Sequence, residues 1–148
     1  MNDRAVSTNV GYVLGLGLVT IVITSLFIVG GTFVSDQREE TVRAELQVVG
    51  QQLATDVSRT DRMIESARPA RADTVNTTGS LPVDIAGSSY AAELNPNGGN
   101  PYLALRTTQP DITVRVNVTT TAPVEESRID GGRYRITLRS GSLVIEDV

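Results

Sequence analysis

A few groupings in this chain set side by side residue types that can do chemistry. They are the carboxylate pairs Glu125-Glu126 and Glu146-Asp147, the arginines Arg133, Arg135 and Arg139, the turn Asp130-Gly131-Gly132, and the triplets Asn76-Thr77-Thr78 and Asn117-Val118-Thr119. Neighbouring carboxylates can act as general acid and base, but these fall in a loop and near the terminus, where solvated surface is the expectation. The three arginines alternate with apolar residues, so they share one strand face. That face can hold an acidic glycan or a neighbouring subunit, or simply meet water. Asp130-Gly131-Gly132 and the Asn-Gly loop lack calcium-loop spacing and read as turns, and no glycine loop of phosphate-binding type follows a strand. The two Asn triplets are N-glycosylation sequons, which act only on an exported surface. Asn76 and Asn117 are therefore the candidate modified residues.

The 148 residues include no Cys and no His. Disulfides, thiolate zinc sites, imidazole bases and Ser-His triads are thereby excluded. Without Trp and with 4% aromatics, base stacking and large apolar pockets have little to work with. A net charge of −4 argues against nucleic acid as a partner. No catalytic, cofactor-binding or metal-ligating constellation is visible, and the expectation is a protein that is not an enzyme.

The elements that must position these groups begin with an uncharged run from Val10 to Val34. As a helix of ~1.5 Å per residue it would be roughly 37 Å long, where about 20 apolar residues suffice to cross a bilayer. A secretory signal would have a shorter apolar core and a small-residue cleavage site, and Gly30-Gly31-Thr32-Phe33-Val34 is not one. Almost nothing precedes the run, and Arg38 and Arg43 after it are mixed with Asp36, Glu39 and Glu40. The preferred orientation has the amino terminus inside and the remainder outside. Gly11 and Gly15 form a Gly-x-x-x-Gly pair that would let neighbouring helices approach closely, although glycine is common in membrane helices generally.

The tetrad Arg4-Ala5-Val6-Ser7 before a long apolar helix resembles the processing site of archaeal type IV pilin-like proteins. The stretch Ala5-Val6-Ser7-Thr8-Asn9-Val10-Gly11-Tyr12-Val13-Leu14 is similar in particular to haloarchaeal pilin starts, and the likeness covers roughly the first 35 residues. It implies a prepilin peptidase cutting between Ala5 and Val6, with Arg4 as the preceding basic residue. Residues 1–5 would be a short leader and 6–35 the membrane and filament-core helix. The partners implied are the membrane, like or related pilin subunits, the peptidase and an assembly machinery. Val10 stands where bacterial pilins carry a glutamate, so that residue's registering role is not carried over. All thirteen basic residues are Arg; adaptation to high salt and a GC-rich genome are the two readings, and both suit a halophilic archaeon.

Beyond the span, Val42, Leu46, Val49, Leu53, Val57 and Ile64 form one apolar helical stripe. The helix is expected to run from about Asn9 and to end before Pro69, with 36–68 as its amphipathic continuation. Residues 69–148 read as an extracellular β domain. Ile112, Val114, Val116 and Val118 alternate with polar residues, as do Tyr134, Ile136 and Leu138. Ser140-Gly141 then turns into Leu143-Val144-Ile145. Weaker strands are expected at Leu81–Ile85, Tyr90–Leu94 and Tyr102–Arg106. The fold class is therefore α+β, a long amino-terminal helix whose amphipathic half covers one meander of five or six antiparallel strands.

Overall fold

The computed structural model describes residues 3–67 and 75–148, with side chains in the helix from Val10 onward. One α-helix, α1 (Asp3–Ala67), is followed by seven strands. These are β1 (Asn76–Ser80), β2 (Tyr90–Asn95), β3 (Tyr102–Thr108), β4 (Asp111–Asn117), β5 (Ser127–Asp130), β6 (Arg133–Arg139) and β7 (Ser142–Asp147). The fold is α+β. The helix begins earlier than the expected Asn9 because the stretch from Asp3 contains no Gly or Pro to interrupt it. It ends at Ala67; Arg68 and Pro69 lie outside the described residues.

The strands form two antiparallel sheets rather than the single meander expected, in the orders β1-β6-β7 and β4-β3-β2-β5. The sheets meet where a parallel bridge joins Val124 to Leu143. There the Glu125 N–H donates to the Leu143 carbonyl at 2.9 Å, and the Leu143 N–H to that of Pro123 at 2.8 Å. The segment Leu81–Ile85 is not a strand. Leu81 and Ile85 are buried, but the segment is pinned by a bond from the Leu81 N–H to the Gly132 carbonyl and by an Ile85–Ser88 bridge. The strand in that region is β1, five residues earlier, paired with β6 from Asn76–Thr137 to Ser80–Arg133.

The chain divides into two units at Arg38 and Glu39. In the second unit the helical stripe supplies one wall of the core: Val42, Leu46, Val49, Leu53, Val57 and Ile64 are all 5% exposed or less. The inward residues of both sheets supply the other, among them Leu94, Leu103, Leu105, Ile129, Ile136 and Leu143. Each such side chain contributes about 1.5–3 kcal/mol by leaving water. Gly50 sits in this contact for a steric reason. A Cβ there would lie 2.8 Å from both Leu105 Cδ1 and Val116 Cγ2, so the helix backbone itself packs on β3 and β4.

Between Val57 and Ile64 the stripe is polar yet buried, and its polar atoms are matched. The Asp61 carboxylate accepts the Thr121 N–H at 2.7 Å and the Ala122 N–H at 2.9 Å. Thr60 Oγ1 donates to the Asp56 carbonyl and lies 2.8 Å from Thr77 Oγ1 on β1. The Tyr134 hydroxyl on β6 donates to Asp56 Oδ2 at 2.6 Å. The Ser58 hydroxyl donates to the Thr119 carbonyl beyond β4 at 2.9 Å. One turn and a half of helix therefore grips elements of both sheets through directional bonds, and no buried side-chain polar atom among the described residues lacks a partner.

Candidate functional site: the exposed apolar helix

The first unit contains the helical segment 10–34, which no other part of the unit covers. Its large side chains stand open: Tyr12 is 73% exposed, Phe27 77% and Val34 68%. It is the one helix among the described residues long and apolar enough to cross a membrane. An apolar surface of this extent is strongly unfavourable in water, and the length and composition of the helix fit a membrane span.

The Ser and Thr hydroxyls from Thr20 to Ser35 all bond to their own helix backbone. Thr20 Oγ1 donates to the Leu16 carbonyl, Thr24 to Thr20 and Ser25 to Ile21, each at 2.8 Å. Thr32 donates to Ile28 at 3.0 Å and Ser35 to Gly31 at 3.2 Å. Where no water is available, an unpaired donor costs several kcal/mol. Bonding to the carbonyl four residues back removes that cost without any partner chain. Sequence reasoning did not single out these five hydroxyls, although a Ser or Thr inside an apolar run is the signal that would have found them.

Gly11 and Gly15 lie on this helix, and a Cβ at either would meet nothing within 4 Å. Within the chain they accommodate no close neighbour. Arg4, Ala5 and Val6, the expected processing residues, fall within the helical range of α1, and their side chains lie outside the described residues.

The remaining candidates lie in the second unit and are not brought together into a centre. Asn76 opens β1 and Asn117 closes β4; both are exposed. Arg133, Arg135 and Arg139 do share one face of β6, but Glu146 of β7 takes up two of them, 3.6 Å from Arg135 and 2.7 Å from Arg139. That carboxylate is thus an ion-pair partner, not half of a catalytic dyad with Asp147. Glu125 and Glu126 are exposed ahead of β5. Asp130-Gly131-Gly132 forms the β5–β6 connection, and a Cβ on Gly131 would lie 2.5 Å from the Pro82 carbonyl oxygen and 2.6 Å from that of Val83. Among the described residues no three acidic side chains converge as a metal site would require.

Two tyrosines are buried in this unit. The Tyr90 hydroxyl donates to the Pro82 carbonyl at 2.7 Å, and burial pushes its pKa up to about 12. Tyr134 is also raised, first by burial and then by its bond to Asp56 and the charge there. Both hold the fold together through these bonds.

A family model matches residues 1–146, and it describes a family of unknown function (DUF7266). No curated protein and no solved structure matches the chain.

Proposed function

We propose that this chain, which belongs to the DUF7266 family, is a pilin-like structural subunit of an archaeal cell-surface filament, without enzymatic activity. It is inserted in the membrane by residues 6–35 with its amino terminus inside and its β domain outside. The observation that carries this reading is a division within one helix: residues 10–34 are exposed and apolar, whereas the stripe from Val42 to Ile64 is buried in its own domain. A helix built in this way can exchange lipid for the apolar helices of neighbours while its folded domain stays in solvent. Gly11 and Gly15 have open space beside them, which suits close helix approach. Like or related subunits, a prepilin peptidase acting at Arg4-Ala5-Val6 and an assembly machinery are the partners. Adhesion, N-glycans at Asn76 and Asn117, and a halophilic host belong to the same reading.

The second reading is a single-pass anchored domain that binds or scaffolds a partner outside the cell and does not polymerise. It is favoured by the five Ser and Thr hydroxyls between Thr20 and Ser35, each bonded within the helix, which need no neighbouring subunit. Mass spectrometry of the native amino terminus separates the two. A chain beginning at Val6, together with surface filaments that disappear in Ala5→Trp, is expected for the pilin. Retention of Met1–Arg4, with filaments absent in the unmutated strain, would establish the anchored domain instead.

A further inference from the structure

An outward-facing cleft at one end of the four-stranded sheet has an uncharged lining rich in Asn and Thr. It measures about 430 Å³ and lies between the β2–β3 loop and the residues that follow β4. Asn97, Asn100, Asn117, Thr119, Thr120 and Tyr102 supply its polar groups, and none of the residues lining it carries a formal charge.

The cleft is built before any ligand arrives. The Val118 N–H donates to the Pro101 carbonyl at 2.9 Å, joining its two sides. Its loop passes through three consecutive positive-φ residues, Asn97, Gly98 and Gly99. It is closed by bonds from the Gly99 N–H to Pro96 and from the Asn100 N–H to Asn97. Tyr102 pairs with Asn117 across β3 and β4, and the Arg115 guanidinium rests 5.3 Å from its ring centroid, fixing the ring.

Asn97, Asn100 and Asn117 are exposed residues that line the cleft. Each offers donors and an acceptor together, and the two threonine hydroxyls do the same. A ligand matched to paired donors and acceptors, to an aromatic ring and to the absence of charge is a neutral polyhydroxyl compound. We infer that this cleft is a binding site for a neutral saccharide. Its volume falls within the roughly 300–1,000 Å³ of small-ligand sites. Because the cleft is open, affinity is weak, on the order of a millimolar Kd.

The saccharide has two sources, a glycan attached to Asn117 itself, which lines the cleft, or a glycan of another molecule. The inference rests on the domain lying outside the cell, as proposed above, and not on polymerisation. Its test uses the full chain from a host without N-glycosylation, held in a detergent that has no sugar headgroup. Saturation-transfer NMR with glucose, galactose and mannose, and with glucuronate as the charged control, reads the site.

Binding of at least one neutral hexose, weakened fivefold or more in Asn100→Ala and in Tyr102→Ala, is the expected result. Arg133→Ala, on the other sheet, leaves it unchanged. Asn100 is an exposed loop residue, so its variant keeps the fold and isolates the cleft. Failure to bind any neutral hexose, equal binding by Asn100→Ala, or preference for glucuronate overturns the inference. Native protein then identifies the source through the peptide spanning 116–128, released by cleavage after Arg115 and Arg128. A sugar on Asn117 with no uptake of added hexose assigns the cleft to the chain's own glycan. A bare Asn117 with uptake assigns it to another molecule's, and both results support the site. Filaments imaged in parallel report on the pilin reading separately.

Discussion

Replacing Asp61 by Ala removes the buried carboxylate that ties α1 to the chain leaving β4, where the Ser58 hydroxyl makes a second bond to Thr119. The carboxylate is 4% exposed and accepts two backbone N–H groups, from Thr121 at 2.7 Å and Ala122 at 2.9 Å. Hydrogen bonds to a charged group contribute about 1.5–3 kcal/mol each, and a buried donor left unpaired costs about 1–3 kcal/mol. Thr121 is exposed and its N–H can turn to water, whereas Ala122 is buried. The full penalty therefore falls on one donor, and the expected loss is about 2–4 kcal/mol. Against a typical domain stability of about 5–15 kcal/mol this is a large fraction. For a domain of this size it corresponds to a fall in Tm of roughly 8–15 °C. Asp61→Asn keeps one acceptor but turns an N–H₂ toward the other donor, so about half the loss is expected. Urea titration of the full chain in detergent, followed by circular dichroism in the strand region, measures both. The exposed Glu126→Ala serves as the reference. An Asp61→Ala stability within 0.5 kcal/mol of the unmutated protein, a margin typical of neutral surface changes, would refute the argument that this carboxylate clasps helix to sheet.

Gly131→Ala is expected to cost about 2–3 kcal/mol, because the new Cβ meets the backbone carbonyls of Pro82 and Val83, which cannot rotate aside; urea midpoints check it. The raised pKa of Tyr90, up to about 12, together with the raised Tyr134, predicts an alkaline transition. An unfolded tyrosine ionises near its ordinary value of 10.0, so this contribution is complete below that pH and is lost as pH rises toward the folded value. Stability measured across that window should fall, and Tyr90→Phe should flatten the fall; a flat profile in the unmutated protein would contradict the assignment. Val22→Arg places a charge in the middle of the exposed segment, at a cost of about 2.5–3.5 kcal/mol for insertion. Alkaline extraction of membranes should then release a larger share of the chain, and equal retention would speak against 10–34 as the spanning segment.

The helix was legible because both of its media leave a period in the sequence. An apolar run with no polar face marks the exposed segment, and the 3–4 spacing from Val42 to Ile64 marks the half that is buried. Strands β4 and β6 were legible for the corresponding reason, a period of two with one face inward. The failures share one cause. β1 reads Asn-Thr-Thr-Gly-Ser and β5 Ser-Arg-Ile-Asp, so neither has an alternating apolar set, and both are strands because neighbours hold them by backbone bonds. Conversely, the apolar residues of Leu81–Ile85 suggested a strand, yet they serve as single anchors under the β5–β6 turn. Hydrophobic alternation reports burial, and ladder pairing at an edge does not require it.

The polar interruption of the helical stripe carries a further lesson about position. Asp56, Thr60 and Asp61 would be read from sequence as the solvated side of a helix, since they are charged or hydroxylated. Their spacing says otherwise: Thr60 and Asp61 stand three and four residues after Val57, and Ile64 follows at the same intervals. They therefore occupy the core-facing line, where a polar group is tolerated only if it is bonded. Every one of them is. The exposed segment solves the same problem by other means, because its hydroxyls have no sheet to reach and return to their own backbone. One helix thus satisfies its polar atoms across elements where it has a partner fold and within itself where it has none. The bonds that reach other elements fall between Asp56 and Asp61, in the second unit. A self-sufficient segment can reside in lipid as a single helix and later exchange lipid for other helices without breaking any of these bonds, which is the property a subunit that waits in a membrane before assembly must have.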